Sequence, residues 1–194
     1  MKKAFDVAPA EIGYLQEFVS HVNELIKSRF AQRVLAQPTI RLRTKSDWTN
    51  AELVNFDEEE CQSFLLKCRL LIQDRDGISI NRIWSMFKDR IDDSWWAKIN
   101  PPRWMLNDYL DAQALFEGGS NASVNNRLIL ETFLYGSYAH LNPEYRKRFK
   151  EWQTDPERFY LLKLEFIMAL KVLLSSAAKM TLVVEEFLKQ LTER

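Results

Sequence analysis

Phe159-Tyr160-Leu161-Leu162-Lys163-Leu164-Glu165-Phe166-Ile167-Met168-Ala169-Leu170-Lys171-Val172-Leu173-Leu174-Ser175 is the most apolar window of the chain. Its reading decides the fold. A helix that crosses a bilayer needs about 20 nearly uncharged residues, and here Lys163, Glu165 and Lys171 interrupt the run. The stretch therefore reads as a core helix. Asp155 or Pro156 opens it, proline being favoured in a first turn, and the apolar pattern continues to about Leu191. Unbroken, such a helix is about 50 Å long. Ser175-Ser176 is where a bend is expected if there is one.

Composition agrees with a helical reading. A chain of 194 residues fits one domain, or one domain with an appended subdomain. It can bury roughly 70% of the surface its unfolded form exposes, so no disulfide or metal is needed to hold it together. Apolar residues make up 46% and charged residues 28%, as in ordinary globular proteins. Only five glycines are present, and sheet proteins spend glycine on turns. Six tryptophans and twelve phenylalanines supply large core side chains or an aromatic interface.

Twenty-seven basic residues balance twenty-seven acidic ones, so no global field draws the protein to nucleic acid or to a membrane. The charge is nevertheless segregated. Lys27, Arg29, Arg33, Arg41, Arg43 and Lys45 form a basic block, and Asp47, Glu52, Asp57, Glu58, Glu59 and Glu60 an acidic one. These are either two solvated faces or, on the basic side, a track for a phosphate backbone. Cys61 and Cys68 stand about 10.5 Å apart along a helix axis, too far to bond within it. Two cysteines without metal-ligand spacing suggest a reducing, cytoplasmic location. Met1-Lys2-Lys3 begins like a signal peptide, but Asp6 and Glu11 interrupt any apolar segment. No membrane association is expected.

Working outward, Ile12, Leu15, Phe18, Val19, Val22, Leu25, Ile26 and Phe30 recur at helical spacing, which predicts one helix from Pro9 to about Leu35. Residues 39–45 alternate apolar and basic and read as a short extended segment. Asp57 looks like an N-cap, with Glu58, Glu59 and Glu60 in the first turn where the helix dipole favours acids. Residues 74–77 read as a turn, and Ser79 as the cap of a shorter helix with Ile83 and Phe87. Residues 118–123 form the one flexible-looking linker. It is either a loop inside a single helical domain, 1–194, or a boundary between 1–117 and 124–194. Asn142-Pro143 starts a short basic helix through Trp152. The expected fold is all-α, a bundle of about six to eight helices with a long C-terminal helix.

Chemistry points first to Leu134-Tyr135-Gly136-Ser137-Tyr138-Ala139-His140-Leu141-Asn142, followed by Arg146, Lys147, Arg148 and Lys150. A mid-helix glycine costs about 1 kcal/mol relative to alanine. Gly136 and Ala139 therefore suggest a notch where another helix approaches closely. His140, near the helix end, either caps carbonyls or faces a cleft with Asn142, Arg146 and Lys147 as an anion or nucleic-acid site. Arg41 and Arg43 would extend that site as a phosphate track. Two-histidine chemistry would need His21, which lies between Val19 and Val22 and reads as structural. The Glu-x-x-His pattern of di-iron bundles is absent from the sequence, and Gly118-Gly119 is not followed by a phosphate-loop lysine. Neither metal nor cofactor is expected. A helix-turn-helix over residues 58–87 would present acids to phosphate. Trp95, Trp96 and Trp104 around Pro101-Pro102 form either a second core cluster or a partner surface.

The pattern Leu134-Tyr135-Gly136-x-x-Ala139-His140-x-Asn142, then a basic segment and Trp152, resembles the C-terminal helical region of uncharacterised bacterial proteins near the HEPN superfamily. The resemblance covers residues 124–190. It implies a small helical bundle, often dimeric, of a kind found as ribonucleases or nucleic-acid-binding partners in toxin–antitoxin, defence and stress systems. HEPN ribonucleases carry an arginine and a polar residue shortly before the histidine. Here those positions hold Phe133, Leu134 and Tyr135, and the nearest upstream arginine is Arg127. The expectation is a non-enzymatic module that binds a protein partner or itself. The alternative is a HEPN-like nucleic-acid-binding or RNA-processing protein.

Overall fold

A computed structural model describes residues 9–37, 58–72, 83, 86–87, 97–99, 129–131, 133–134 and 143–193. The fold is all-α: every regular element among the described residues is a helix. Five have defined limits: α1 (Pro9–Lys27), α2 (Arg29–Leu35), α3 (Glu58–Ile72), α4 (Pro143–Gln153) and α5 (Pro156–Thr192). The extended segment expected at 39–45 and the linker at 118–123 lie outside the described residues.

Helix α5 is 37 residues long, which makes it roughly 55 Å. By length and composition residues Lys163–Thr192 could cross a membrane, yet 83% of the most apolar window is buried inside the protein. Every residue from 173 to 181 is buried. At 100° per residue that run covers the whole circumference, so the middle of α5 has neighbours on all sides. Helices α1, α2 and α4 all pack on it. The serine pair does not interrupt the helix. Ser175 and Ser176 are both buried, and Ser176 Oγ donates to the Val172 carbonyl at 2.7 Å. That bond satisfies the hydroxyl inside the helix, without water or an opened turn.

The first helix predicted from periodicity is two helices. Ser28 leaves helical conformation at φ −62°, ψ 144°, and its Oγ accepts from the Ala31 amide at 3.2 Å. The same Oγ donates to the Leu25 carbonyl at 2.7 Å. One side chain thus closes α1 and caps α2. Apolar spacing continues across the break: Leu15, Phe18, Val22 and Leu25 are buried on α1, and Phe30, Ala31, Val34 and Leu35 on α2. Two cross-links fix the pairing with α5. Asn23 Nδ2 donates to Glu185 Oε1 at 3.4 Å, and Lys171 Nζ donates to the Gln37 carbonyl at 2.7 Å. Numbers rise on one side as they fall on the other, so α1 and α2 run antiparallel to α5.

The remaining pieces join through aromatic rings. Phe64 of α3 meets Phe30 of α2 at 4.7 Å between centroids, and Arg33 pairs with Glu60 beside that contact. Phe87 lies edge-on to Phe187 at 5.3 Å. Phe133 stacks on Phe166 of α5 at 4.4 Å and takes the edge of Phe149 of α4 at 5.5 Å. Cys61 and Cys68 are free thiols buried in α3. Burial pushes the Cys68 thiol far up, with Lys67 opposing it weakly, so it packs as a small apolar group.

Candidate cationic face of helix α4

Helix α4 begins at Pro143, where the missing amide hydrogen costs nothing because first-turn donors have no partner within the helix. It ends at Gln153. Just beyond, Thr154 Oγ1 donates to the Glu151 carbonyl at 2.7 Å, which satisfies a carbonyl of the last turn. Phe149 turns inward, 5% exposed, and anchors the helix on Phe133. Arg146, Lys147, Lys150 and Glu151 are all exposed. Together with Pro143 and Thr154 they line an open depression of about 560 Å³.

The electrostatics of this face are those of solvated side chains. Lys147 Nζ lies 4.0 Å from Glu151 Oε1 across one turn, an exposed arrangement worth at most about 0.5 kcal/mol. The side chains are therefore available to an incoming ligand at little cost. The depression offers two lysines and an arginine as donors, one carboxylate and one hydroxyl. That set can bind a carboxylate or a phosphate. It contains no nucleophile paired with a base.

Of the residues expected to form the site, Arg146 and Lys147 stand side by side on this face. His140, Asn142, Gly136, Ala139, Arg41, Arg43, Trp95, Trp96 and Trp104 lie outside the described residues. No family model, curated protein or solved structure matches the chain. Two members of the face, Glu151 and Thr154, are additions to the residues singled out from the sequence. Helical spacing from Lys147 and Lys150 marks both positions, given that α4 continues that far. His21 sits on α1, partly buried, and its Nε2 is enclosed without a hydrogen bond. Among the described residues no group of three or more His, Cys, Asp or Glu side chains is arranged to hold a metal ion.

Two further lysines are buried in α5 itself. Lys171 reaches across to the Gln37 carbonyl and so holds the end of α2, where a cation also meets the negative end of the helix dipole. Lys179 is 2% exposed, and burial pushes its pKa down to about 7. Glu165, on the same helix, is half-buried and its carboxyl is pushed up by burial. Lys171 and Lys179 lie two turns apart with Ser175 between them, at successive i,i+4 positions. They form a buried polar line within the apolar helix.

Proposed function

We propose that this protein is a non-enzymatic helical module that binds an acidic protein surface through α4. The carrying observation is the exposed set Arg146, Lys147 and Lys150, presented over an open depression by a helix that Phe149 fixes to the core. Two features favour protein over nucleic acid. The chain is electrically neutral, so it lacks the long-range field that steers proteins to polyanions. Glu151 also sits within the face, 4.0 Å from Lys147. A phosphate backbone would meet that carboxylate, whereas a protein surface of mixed charge can accommodate it.

Nucleic acid is the second reading, and the three neighbouring cations on one helix face are what favour it. In that reading His140, Asn142, Arg41 and Arg43 would add to Arg146 and Lys147, in keeping with the HEPN-like resemblance. Fluorescence anisotropy separates the two readings. The probes are a labelled helical peptide with glutamates at i,i+4 spacing and a labelled single-stranded RNA of equal charge. The first reading expects the peptide to bind more tightly, and to be lost in the Lys147→Glu, Lys150→Glu double variant. Tighter RNA binding, with log affinity falling against log salt by about 0.7 per phosphate contact, would replace it with the second. Binding of neither probe contradicts both.

A further inference from the structure

We propose that the acidic surface docked by α4 is helix α1 of a second copy of this chain; this rests on the reading of α4 just given. Neutrality is the first argument. A chain with equal numbers of acids and bases that gathers cations on one face carries its excess acid elsewhere. On α1 the solvent side holds Glu17 and Glu24, with Gly13 and Ser20 in line with them and one cation, Lys27, in the last turn, all exposed.

Register is the second argument. Gly13, Glu17, Ser20 and Glu24 recur at intervals of four, three and four residues, and so do Pro143, Lys147, Lys150 and Thr154 on α4. Two helical stripes with one spacing stay in contact along their length. The pattern is the same read in either direction, and charge selects the antiparallel alignment. That alignment sets Lys150 opposite Glu17, Lys147 over Ser20, and Thr154 beside Gly13. Glu24 then meets the N-terminal end of α4, where the helix dipole favours an acid and Arg146 lies within reach.

Shape is the third. A Cβ added at Gly13 would have nothing within 4 Å, and Ser20 is short. The acids of α1 are thus flanked by low ground over which long lysine side chains can lie. A twofold axis would repeat the contact, α4 on α1 and α1 on α4, and close the assembly as a dimer. Two short helix faces cover less than a standard-size interface. The association is therefore weak and salt-sensitive.

Sedimentation velocity over a concentration series tests this with the full chain. The set comprises the wild type, the Lys147→Glu, Lys150→Glu variant, the Glu17→Lys, Glu24→Lys variant, and the fourfold exchange. All four side chains are exposed, and helical circular dichroism checks that each variant folds. The wild type is expected to dimerise at about 0.02 M salt and to dissociate at about 0.5 M, where charges are screened within a few ångströms. Each double variant should weaken the dimer by about tenfold or more, and the fourfold exchange should restore it. A wild type that is monomeric throughout overturns the inference, as does a dimer that tolerates both double variants. So does a dimer lost in the α4 variant but not in the α1 variant. If the dimer fails and the α4 variant still loses the acidic peptide, only the identity of the partner is wrong. If the peptide also never binds, the reading of α4 falls with it.

Discussion

Replacing Lys179 by methionine is expected to stabilise the fold at neutral pH and to remove a pH dependence that the wild type shows. Lys179 belongs to the stretch of α5 that is enclosed on all sides, and the residue is 2% exposed. Burial lowers its pKa from 10.5 to about 7. Each pH unit between those values corresponds to about 1.4 kcal/mol. The cost at pH 7 is therefore on the order of 4 kcal/mol relative to an unperturbed lysine. Between the two values the unfolded chain binds a proton that the folded chain does not, so stability rises with pH. Below about 7 both states are protonated and the penalty is present in full. From pH 7 to pH 9 the wild type should gain about 2 kcal/mol on the methionine variant. The buried Cys68 thiol acts in the opposite sense at the alkaline end, because the unfolded thiol ionises first. It is common to both proteins and cancels in the comparison. Urea unfolding followed by helical circular dichroism at pH 7, 8 and 9 gives the difference directly. A difference that does not change with pH would mean instead that the ammonium is as well solvated in the fold as in the unfolded chain.

Other perturbations follow from single contacts. Phe133→Ala removes the ring that ties α4 to α5 through Phe149 and Phe166 and should cost about 3–5 kcal/mol, read as a lower urea midpoint. Ser28→Ala takes away both the cap on α2 and the hydroxyl that closes α1. It should cost about 1 kcal/mol, with faster amide exchange at Ala31. The Glu186 carboxyl is held below its ordinary range, first by the hydrogen bond from Lys98 and then by that from Gln190. Its stabilising effect is present above the usual carboxylate range and lost as pH falls through the depressed value. Lys98→Ala should move the Glu186 titration, followed by carboxyl NMR, back up.

The long helix could be read from sequence because its apolar residues outnumber what one face of a surface helix needs. Its start at Pro156 and end near Leu191 follow from the same pattern. The start of α4 was equally legible from Asn142-Pro143. The break at Ser28 was not, since apolar spacing runs through it from Leu25 and Ile26 to Phe30. What marks it is a hydroxyl that satisfies backbone groups on both sides. The serine pair misled in the opposite direction: a hydroxyl that bonds its own helix leaves the helix intact. Lys171 showed in the sequence only as an interruption of an apolar run. That it reaches the end of α2 depends on the antiparallel pairing with α5, which no local pattern encodes. On α4, the run of basic residues marked Arg146 and Lys147 as candidates for an anion site. The depression between them and Thr154 is a property of the folded surface.

Hydrogen exchange resolved by residue tests most directly whether α5 is the enclosed centre on which α4 rides. Amides from 173 to 181 are expected to exchange only through global unfolding, at the free energy measured by denaturant. Those of Arg146, Lys147 and Lys150 should exchange faster, through local opening of α4. Exchange of 173–181 as fast as that of α4 would contradict this, because α5 would then have an open side and α4 no fixed base from which to present its cations.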